Sequence, residues 1–166
     1  MDLVLEGKVA IVTGGSDGIG KAAAISMASE GAKVAIVGRT QSKLDDAVAE
    51  IKTASGGEAI GVAADVSVES DVKAMVEKVV SEYGKLDILV NNAGTSSSTT
   101  LEKMTDEDLK VDFGIKVYGA VYCARAALPH LKKSGSGAIV NTTTPGGKAA
   151  NPGSQPTSLS RAAGIS

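Results

Sequence analysis

Apolar positions along the chain alternate between two periods. Short, almost uninterrupted apolar runs, which are typical of strands buried on both faces, are separated by segments in which apolar residues recur every three or four positions, as in amphipathic helices. The runs predict strands at 8–12, 33–37, 59–63, 86–90 and 138–141. Strict alternation of strands and helices with short connections predicts a single α/β domain, built as a doubly wound parallel sheet with helices on both faces.

The segments between these strands carry helix start and stop signals. Ser, Thr and Asp favour the N-cap, and glycine favours the position after the last helical residue. The predicted helices are 19–29 ended by Gly31, one capped by Thr40 and broken at Gly56, one capped by Ser67 and ended by Gly84, one from Thr105 to Pro129, and one that begins within 155–158 and continues to Ser166.

A glycine-rich turn joins the first predicted strand to the first predicted helix. It reads Thr-Gly-Gly-Ser-Asp-Gly-Ile-Gly over 13–20. Glycines let backbone N–H groups approach a phosphate, and a helix N-terminus adds unpaired donors and a partial positive charge. A plain strand-to-helix turn is the alternative interpretation. The strand before the turn and the helix after it favour a pyrophosphate site.

Composition excludes several function classes. The 166 residues suggest one domain, and a net charge of −2 offers no electrostatic footprint for nucleic acid or an anionic membrane. We see no long uncharged apolar stretch and no secretory signal at the N-terminus. Cys123 is the only cysteine, so neither an internal disulfide nor a cysteine metal cluster is expected. These features predict a cytoplasmic protein without a metal site.

Further motifs make the chain similar to the short-chain dehydrogenase/reductase family over nearly its whole length. They are the glycine pattern at 13–20, Asp65-Val66 after the third strand, Asn91-Asn92-Ala93-Gly94 after the fourth, and the segments 126–130 and 137–141. The resemblance implies a Rossmann-like dinucleotide-binding domain over 1–166 that lacks the last strands of the family fold. It also implies NAD(P)(H)-dependent interconversion of carbonyl and alcohol groups, and a dimer or tetramer.

The resemblance also assigns the residues around the cofactor. Gly14 would permit the tight turn, Gly18 the close approach of the cofactor, and Gly20 close helix–strand packing. Asp65 would bind the adenine amino group, while Asn91 would tie neighbouring strands together. The full predicted cofactor set is Gly14, Ser16, Asp17, Gly18, Ile19, Gly20, Arg39, Asp65, Val66, Asn92, Ala93 and Gly94.

The end of the second strand bears on the choice between NADP and NAD. An acidic residue there would bind the adenosine ribose hydroxyls, but this chain has Gly38 followed by Arg39. An arginine can pair with a 2′-phosphate, which favours NADP. Asp17 argues for NAD, because many phosphate-preferring relatives carry a basic residue in that turn. An exposed arginine without a cofactor role is the alternative.

All four catalytic positions of the family are substituted. Its Asn, Ser, Tyr and Lys fall on Lys116, Thr144, Thr157 and Arg161. Thr144 keeps a hydroxyl that can orient a carbonyl, and Arg161 can bind ribose hydroxyls. Thr157 is a far weaker acid than a phenol. Lys116 is a speculative substitute acid, because burial would lower its pKa; the alternative is a lysine whose tip reaches solvent.

Two functions therefore stay open beside the oxidoreductase. An intact glycine turn next to a lost tyrosine is also expected of a non-catalytic dinucleotide-binding or scaffold member of the fold. A purely structural interaction module is the third hypothesis, because relatives assemble through the long helix and the helix near Thr157. The substrate, a small carbonyl or alcohol compound, cannot be named from these residues.

Overall fold

The computed structural model describes residues 4–165. The strands are β1 Val9–Thr13, β2 Lys33–Gly38, β3 Ala59–Ala63, β4 Ile88–Asn91, β5 Ser98–Thr99, β6 Ala138–Asn141 and β7 Gln155–Pro156. The helices are α1 Gly18–Ser29, α2 Gln41–Ser55, α3 Glu69–Tyr83, α4 Asp106–Phe113, α5 Gly119–Ser134 and α6 Thr157–Ala163, with a π-helical turn at Gly114–Tyr118 and a 3-10 turn at Pro145–Gly147.

The main sheet has the order β3-β2-β1-β4-β6, and its strands run parallel. This confirms the predicted doubly wound, Rossmann-like α/β fold. The chain leaves β1 toward β2 and later returns to β1's other side as β4, so the strand order reverses between β1 and β4. The predicted role of Asn91 is confirmed, because its Nδ2 donates a 2.9 Å hydrogen bond to Asn141 Oδ1 across β4 and β6.

Two apolar clusters cover the two faces of the sheet, because successive residues of each strand point to opposite sides. One contains Ile11 and Val37 of the strands with apolar residues of α3 and α5, including the buried thiol-bearing Cys123. The other contains Val12 and Ile36 with residues of α1 and α2. Fully burying one such aliphatic side chain contributes about 1.5–3 kcal/mol, so both helical layers are held on the sheet by their apolar stripes.

Two predicted helix ends are wrong. Ser67 does not cap α3, because its N–H and hydroxyl both donate to Asp65 Oδ1, and Val68 stands at the N-cap. Pro129 does not end α5, which continues to Ser134 and closes on Gly135 at φ +72°. The extra turn buries Leu131 in the core, and this outweighs the single backbone hydrogen bond that an internal proline removes.

The long helix after Thr105 is interrupted. Thr105 forms a capping box with Asp108, as its N-terminal signals predict, but α4 ends at Phe113 and the π-helical turn precedes α5. Such turns insert one residue and often lie at functional sites. This one carries Lys116, which is only 5% exposed, so the expectation of a solvent-reaching tip is wrong. The last helix ends at Ala163 rather than continuing, and Ser166 lies outside the described residues.

Strand β6 forms an exposed edge of the sheet. It pairs with β4 on one side, and all four of its residues are exposed. Within residues 4–165, no helix is both long and apolar enough to cross a membrane.

Candidate functional site

A cavity of about 600 Å³ opens at the carboxyl edge of the sheet. Ligands of open α/β sheets bind at this edge, where the strand order reverses. The walls come from the glycine-rich turn, the end of β2, the loops after β3, β4 and β6, and the start of α6. The predicted residues that line it are Gly14, Ser16, Asp17, Gly18, Ile19, Arg39, Asp65, Val66, Asn92, Ala93, Gly94, Thr144, Thr157 and Arg161.

Two glycines of the glycine-rich turn, Gly14 and Gly20, leave no room for a side chain. A Cβ on Gly14, which has φ +64°, would lie 2.9 Å from Ala93 Cα. A Cβ on Gly20 would lie 2.3 Å from Gly14 O, so Gly20 packs against the turn and does not line the cavity. Gly18, at φ +54°, faces open space instead. The turn therefore presents bare backbone and the first N–H groups of α1 to the cavity, which fits a pyrophosphate.

A hydroxyl that sequence reasoning missed holds this turn against β4. Thr13 Oγ1 donates to Val90 O at 3.2 Å and accepts from the N–H groups of Asn92 and Ala93, each at 3.0 Å. In addition, the side chain of Asn92 donates from Nδ2 to Thr13 O at 3.0 Å and to Gly14 O at 3.1 Å. Asn92 thus braces the turn as well as lining the cavity. The role of Thr13 could have been suspected from the sequence, because this hydroxyl residue stands directly before Gly14.

Charges of both signs lie along the end of the cavity that is formed by the glycine-rich turn, β2 and α2. Asp17 caps α1, accepting from Gly18 N at 2.7 Å. The Ser67 hydroxyl, chiefly, holds the pKa of Asp65 below its usual value; burial opposes this, and the positive charge of Arg39 assists it. Arg39 and Lys43 are both exposed and both line the cavity. Lys43, the third residue of α2, was not predicted from the sequence.

Lys116 lies behind the cavity rather than in its wall. It lines a neighbouring cavity of about 470 Å³, where its ammonium forms a close ion pair with Asp112 and donates a 2.9 Å hydrogen bond to Thr157 Oγ1. Ser160 Oγ donates to the other oxygen of Asp112 at 2.5 Å. Burial, above all, lowers the pKa of Lys116, against the opposing effect of Asp112, and the charge of Arg161 lowers it further.

The hydroxyl of Thr157 connects this buried cluster to the cavity. It accepts from Lys116 and donates to Ser97 O at 2.7 Å. Asp112 and Ser160 were missed in the sequence. The spacing of Asp112 and Lys116, four residues apart on a helix, was the available signal. Thr144 lines the cavity. It precedes the 3-10 turn Pro145–Gly147, but its hydroxyl forms no capping hydrogen bond with that turn.

Arg161 lies on α6, at the far end of the cavity. This far end is formed by the loop after β6 and by α6. Its Nη1 donates to Thr142 O at 2.5 Å, and its Nε is buried without a hydrogen-bond partner. Burial lowers the pKa of Arg161, partly offset by Asp112. Across the part of the chain that the structure describes, no cluster of three His, Cys, Asp or Glu residues could hold a metal ion.

The family model for short chain dehydrogenase matches residues 8–166. Among curated proteins, an uncharacterised oxidoreductase of Methylorubrum extorquens is 42% identical over 140 residues, covering 84% of this chain and 56% of the relative. A 3-oxoacyl-[acyl-carrier-protein] reductase of Synechocystis is 38% identical over 149 residues, covering 90% of this chain and 60% of the relative.

Solved structures show the same architecture. L-sorbose reductase from Gluconobacter frateurii, complexed with NADPH and L-sorbose, superposes with a TM-score of 0.94 at 36% identity, over 99% of this chain and 63% of that one. NAD+-bound xylitol dehydrogenase gives 0.91 at 31% identity, over 96% and 61%. The chain thus spans about three fifths of the length of these proteins. With its parallel sheet, glycine-rich turn and matching family model, the chain belongs to the short-chain dehydrogenase family.

Proposed function

We propose that the cavity binds a nicotinamide adenine dinucleotide and that the chain is an oxidoreductase for carbonyl and alcohol groups. The observation that carries the proposal is the convergence of the glycine-rich turn, Asp65 and 92–94 on one cavity. Two solved relatives are complexes with NADPH and NAD+. When bound, the cofactor would supply or accept a hydride. The protein would hold it through the turn's backbone and the loops after β3 and β4.

NADP is the proposed preference over NAD. Arg39 and Lys43 line the end of the cavity that follows β2, and no acidic residue occupies position 38. A guanidinium binds a phosphate through two parallel hydrogen bonds, and a nearby ammonium adds charge. Asp17, which caps α1 and lines the same cavity, opposes this preference with its negative charge.

The residues at the other end suggest how a proton could reach a substrate oxygen. Thr144 would orient that oxygen by a hydrogen bond. A proton leaving Thr157 Oγ1 would be replaced by one from Lys116 Nζ, 2.9 Å away; Lys116 would then be neutral and would regain a proton from solvent before the next turnover. Positioned acid catalysis typically contributes about 10²–10⁴-fold. Lys116 would hold the proton because a threonine hydroxyl is too weak an acid to act alone.

A non-catalytic dinucleotide-binding protein is the second candidate, and one observation favours it. The Thr157 proton is directed to Ser97 O rather than into the cavity, and Lys116 is held by Asp112. In this alternative, Lys116, Thr157 and Arg161 anchor α6 to the rest of the domain, and none of the four substituted positions transfers a proton.

NADPH oxidation with a panel of ketones and aldehydes separates the two candidates, once NADPH binding has been measured. Turnover that falls about 10²-fold or more in Lys116→Gln supports the proposed acid. NADPH binding without turnover on any substrate, together with activity gained by the double variant Thr157→Tyr/Arg161→Lys, supports the non-catalytic candidate. Absence of binding to NADPH and NADH defeats both.

We also propose that copies of the chain associate. Apolar side chains on α4, the π-helical turn and α5 are exposed: Val111, Tyr118, Val121 and Leu128. Such a surface is typical of protein interfaces. Light scattering at micromolar concentration tests this, and a monomer would contradict it. A cytoplasmic location stays a prediction from the sequence.

A further inference from the structure

Two cations and one carboxylate lie together beneath the far end of the cavity. Asp112 already accepts from Lys116 and from Ser160, so both its oxygens are engaged. Arg161 and Lys116 are neighbours, because a Cβ on Gly94 would lie 3.0 Å from Arg161 Nη2 and 3.5 Å from Lys116 Cε. One carboxylate against two cations leaves the group with an excess positive charge. Arg161 is only partly buried, but its Nε is buried without a partner, and a buried donor is costly unless it is paired.

The excess charge belongs to Arg161. Among residues 4–165, no carboxylate lies within 4.0 Å of its guanidinium. Its acceptor in this part of the chain is a neutral carbonyl, Thr142 O, and its buried Nε has none. A guanidinium has five N–H donors and a permanent charge. A neutral oxygen therefore leaves both the charge and most of the donors unmatched.

The unmatched guanidinium faces the cavity. Arg161 lines both cavities, and a Cβ on Gly94 would lie 3.0 Å from its Nη2. Because Gly94 has no side chain, the guanidinium can occupy this position. Hydroxyl donors line the same end, on Thr143 and Thr144. A guanidinium beside two hydroxyls is suited to a carboxylate, which accepts two parallel N–H bonds and further O–H bonds.

We propose that Arg161, with the hydroxyl of Thr143, binds the carboxylate of the substrate, so that the substrate class is oxo acids and the corresponding hydroxy acids. This inference rests on the proposed carbonyl–alcohol function and names its substrate. Ribose hydroxyls could satisfy donors of Arg161 but would leave its charge unpaired. A carboxylate matches both the charge and the donors of Arg161. A carboxylate bound there would place the adjacent carbonyl of the substrate near Thr144 and Thr157, whose hydroxyls line the far end of the cavity.

The test measures binding of 2-oxobutyrate and of 2-butanone, which lacks the carboxylate, by ligand-observed NMR with and without NADPH. We expect 2-oxobutyrate to bind roughly ten- to hundredfold more tightly, and this ratio to fall as salt is raised. Equal binding of the two probes to the folded wild-type protein would overturn the inference without any variant.

Two substitutions locate the carboxylate. In Arg161→Gln, 2-oxobutyrate and 2-butanone should bind with equal affinity. In Arg161→Lys, part of the preference for 2-oxobutyrate should remain. Arg125→Gln, on the outer face of α5 and 66% exposed, removes the same charge elsewhere and should change nothing. Preference that persists in a folded Arg161→Gln protein would overturn the inference. If Arg161→Gln does not fold, the wild-type comparison and Arg161→Lys still decide.

A cofactor phosphate is the other source of the same chemistry. ADP binding should be the same in wild type and in Arg161→Gln; ADP binding weakened tenfold or more would assign the guanidinium to a phosphate and overturn the inference. NADPH is titrated in parallel. NADPH binding without carboxylate preference defeats this inference alone, whereas carboxylate preference without NADPH binding defeats the proposed function alone.

Discussion

Lys116 Nζ and Thr157 Oγ1 are 2.9 Å apart, although 41 residues separate them in the chain. The bond joins the π-helical turn to the first residue of α6. Because Asp112 pairs with Lys116 and also accepts from Ser160, the four side chains form one buried network between α4, the π-helical turn and α6. Two of the four substituted family positions, Lys116 and Thr157, thus depend on one another.

Removal of the Lys116 charge should destabilise the fold strongly. Lys116→Met leaves Asp112 buried without its cation, and breaking a buried pair typically costs about 3–5 kcal/mol. The free energy of unfolding in urea measures the loss. Lys73→Met is the matched control, since Lys73 and Glu69 form a pair with the same spacing whose side chains are 62% and 42% exposed, and exposed pairs contribute about 0–1 kcal/mol. Equal effects of the two substitutions would contradict burial of the pair.

The turn at 13–20 should not tolerate a side chain at Gly20. In Gly20→Ala the new Cβ would lie 2.3 Å from Gly14 O and 2.5 Å from Asn92 Nδ2, so the turn must shift. We expect a stability loss of about 1–3 kcal/mol and loss of NADPH binding. Gly153→Ala is the control, because its Cβ would meet nothing within 4 Å. Wild-type NADPH affinity in Gly20→Ala would show that the turn does not hold the phosphates.

Arg39 should decide between the two cofactors. Arg39→Gln removes the guanidinium proposed for the 2′-phosphate, so NADPH affinity should fall roughly tenfold or more while NADH affinity stays the same. Isothermal titration with each cofactor gives the comparison, and Arg125→Gln controls for net charge. A parallel loss for both cofactors would instead assign Arg39 to a part that they share.

The bond between Asp65 and Ser67 should make stability depend on pH in the acid range. The folded-state pKa of Asp65 is lowered, chiefly by the Ser67 hydroxyl, so the carboxylate stabilises the fold above its unfolded pKa of about 3.9. This contribution is lost as pH falls through the lowered folded pKa. Ser67→Ala should therefore be less stable than wild type at pH 7, and the difference should shrink at pH 2. A difference that is constant with pH would contradict this assignment.

The fold could be predicted because each strand and helix has its own local signal. Buried apolar runs predicted the strands, and glycines such as Gly31 and Gly84, both at positive φ, predicted helix ends. The π-helical turn could not be predicted, because one inserted residue barely changes a helical period. Ser67 was assigned to the wrong role because the neighbouring Asp65 competes for its hydroxyl.

Part of the candidate site could also be predicted from the sequence, and part could not. The glycine-rich turn and the residues after β3 and β4 could be located from sequence because each follows a strand that ends at one edge of the sheet. The contacts of Lys116 and Arg161 could not, since their partners Thr157 and Thr142 come from distant segments. Burial of Lys116 depends on α6, which supplies Thr157 from a distant segment. The local partner Asp112, four residues away, does not by itself predict that burial.

Direct titration of the wild-type protein with NADPH and NADH tests the central claim, that the cavity beside Gly14 and Asp65 binds a nicotinamide dinucleotide. The account predicts saturable binding of one molecule per chain, tighter for NADPH, and displacement of NADPH by ADP from the shared site. Saturable binding should be absent in Gly20→Ala and retained in Gly153→Ala. Absence of saturable binding of both cofactors to the folded wild-type protein would contradict the account.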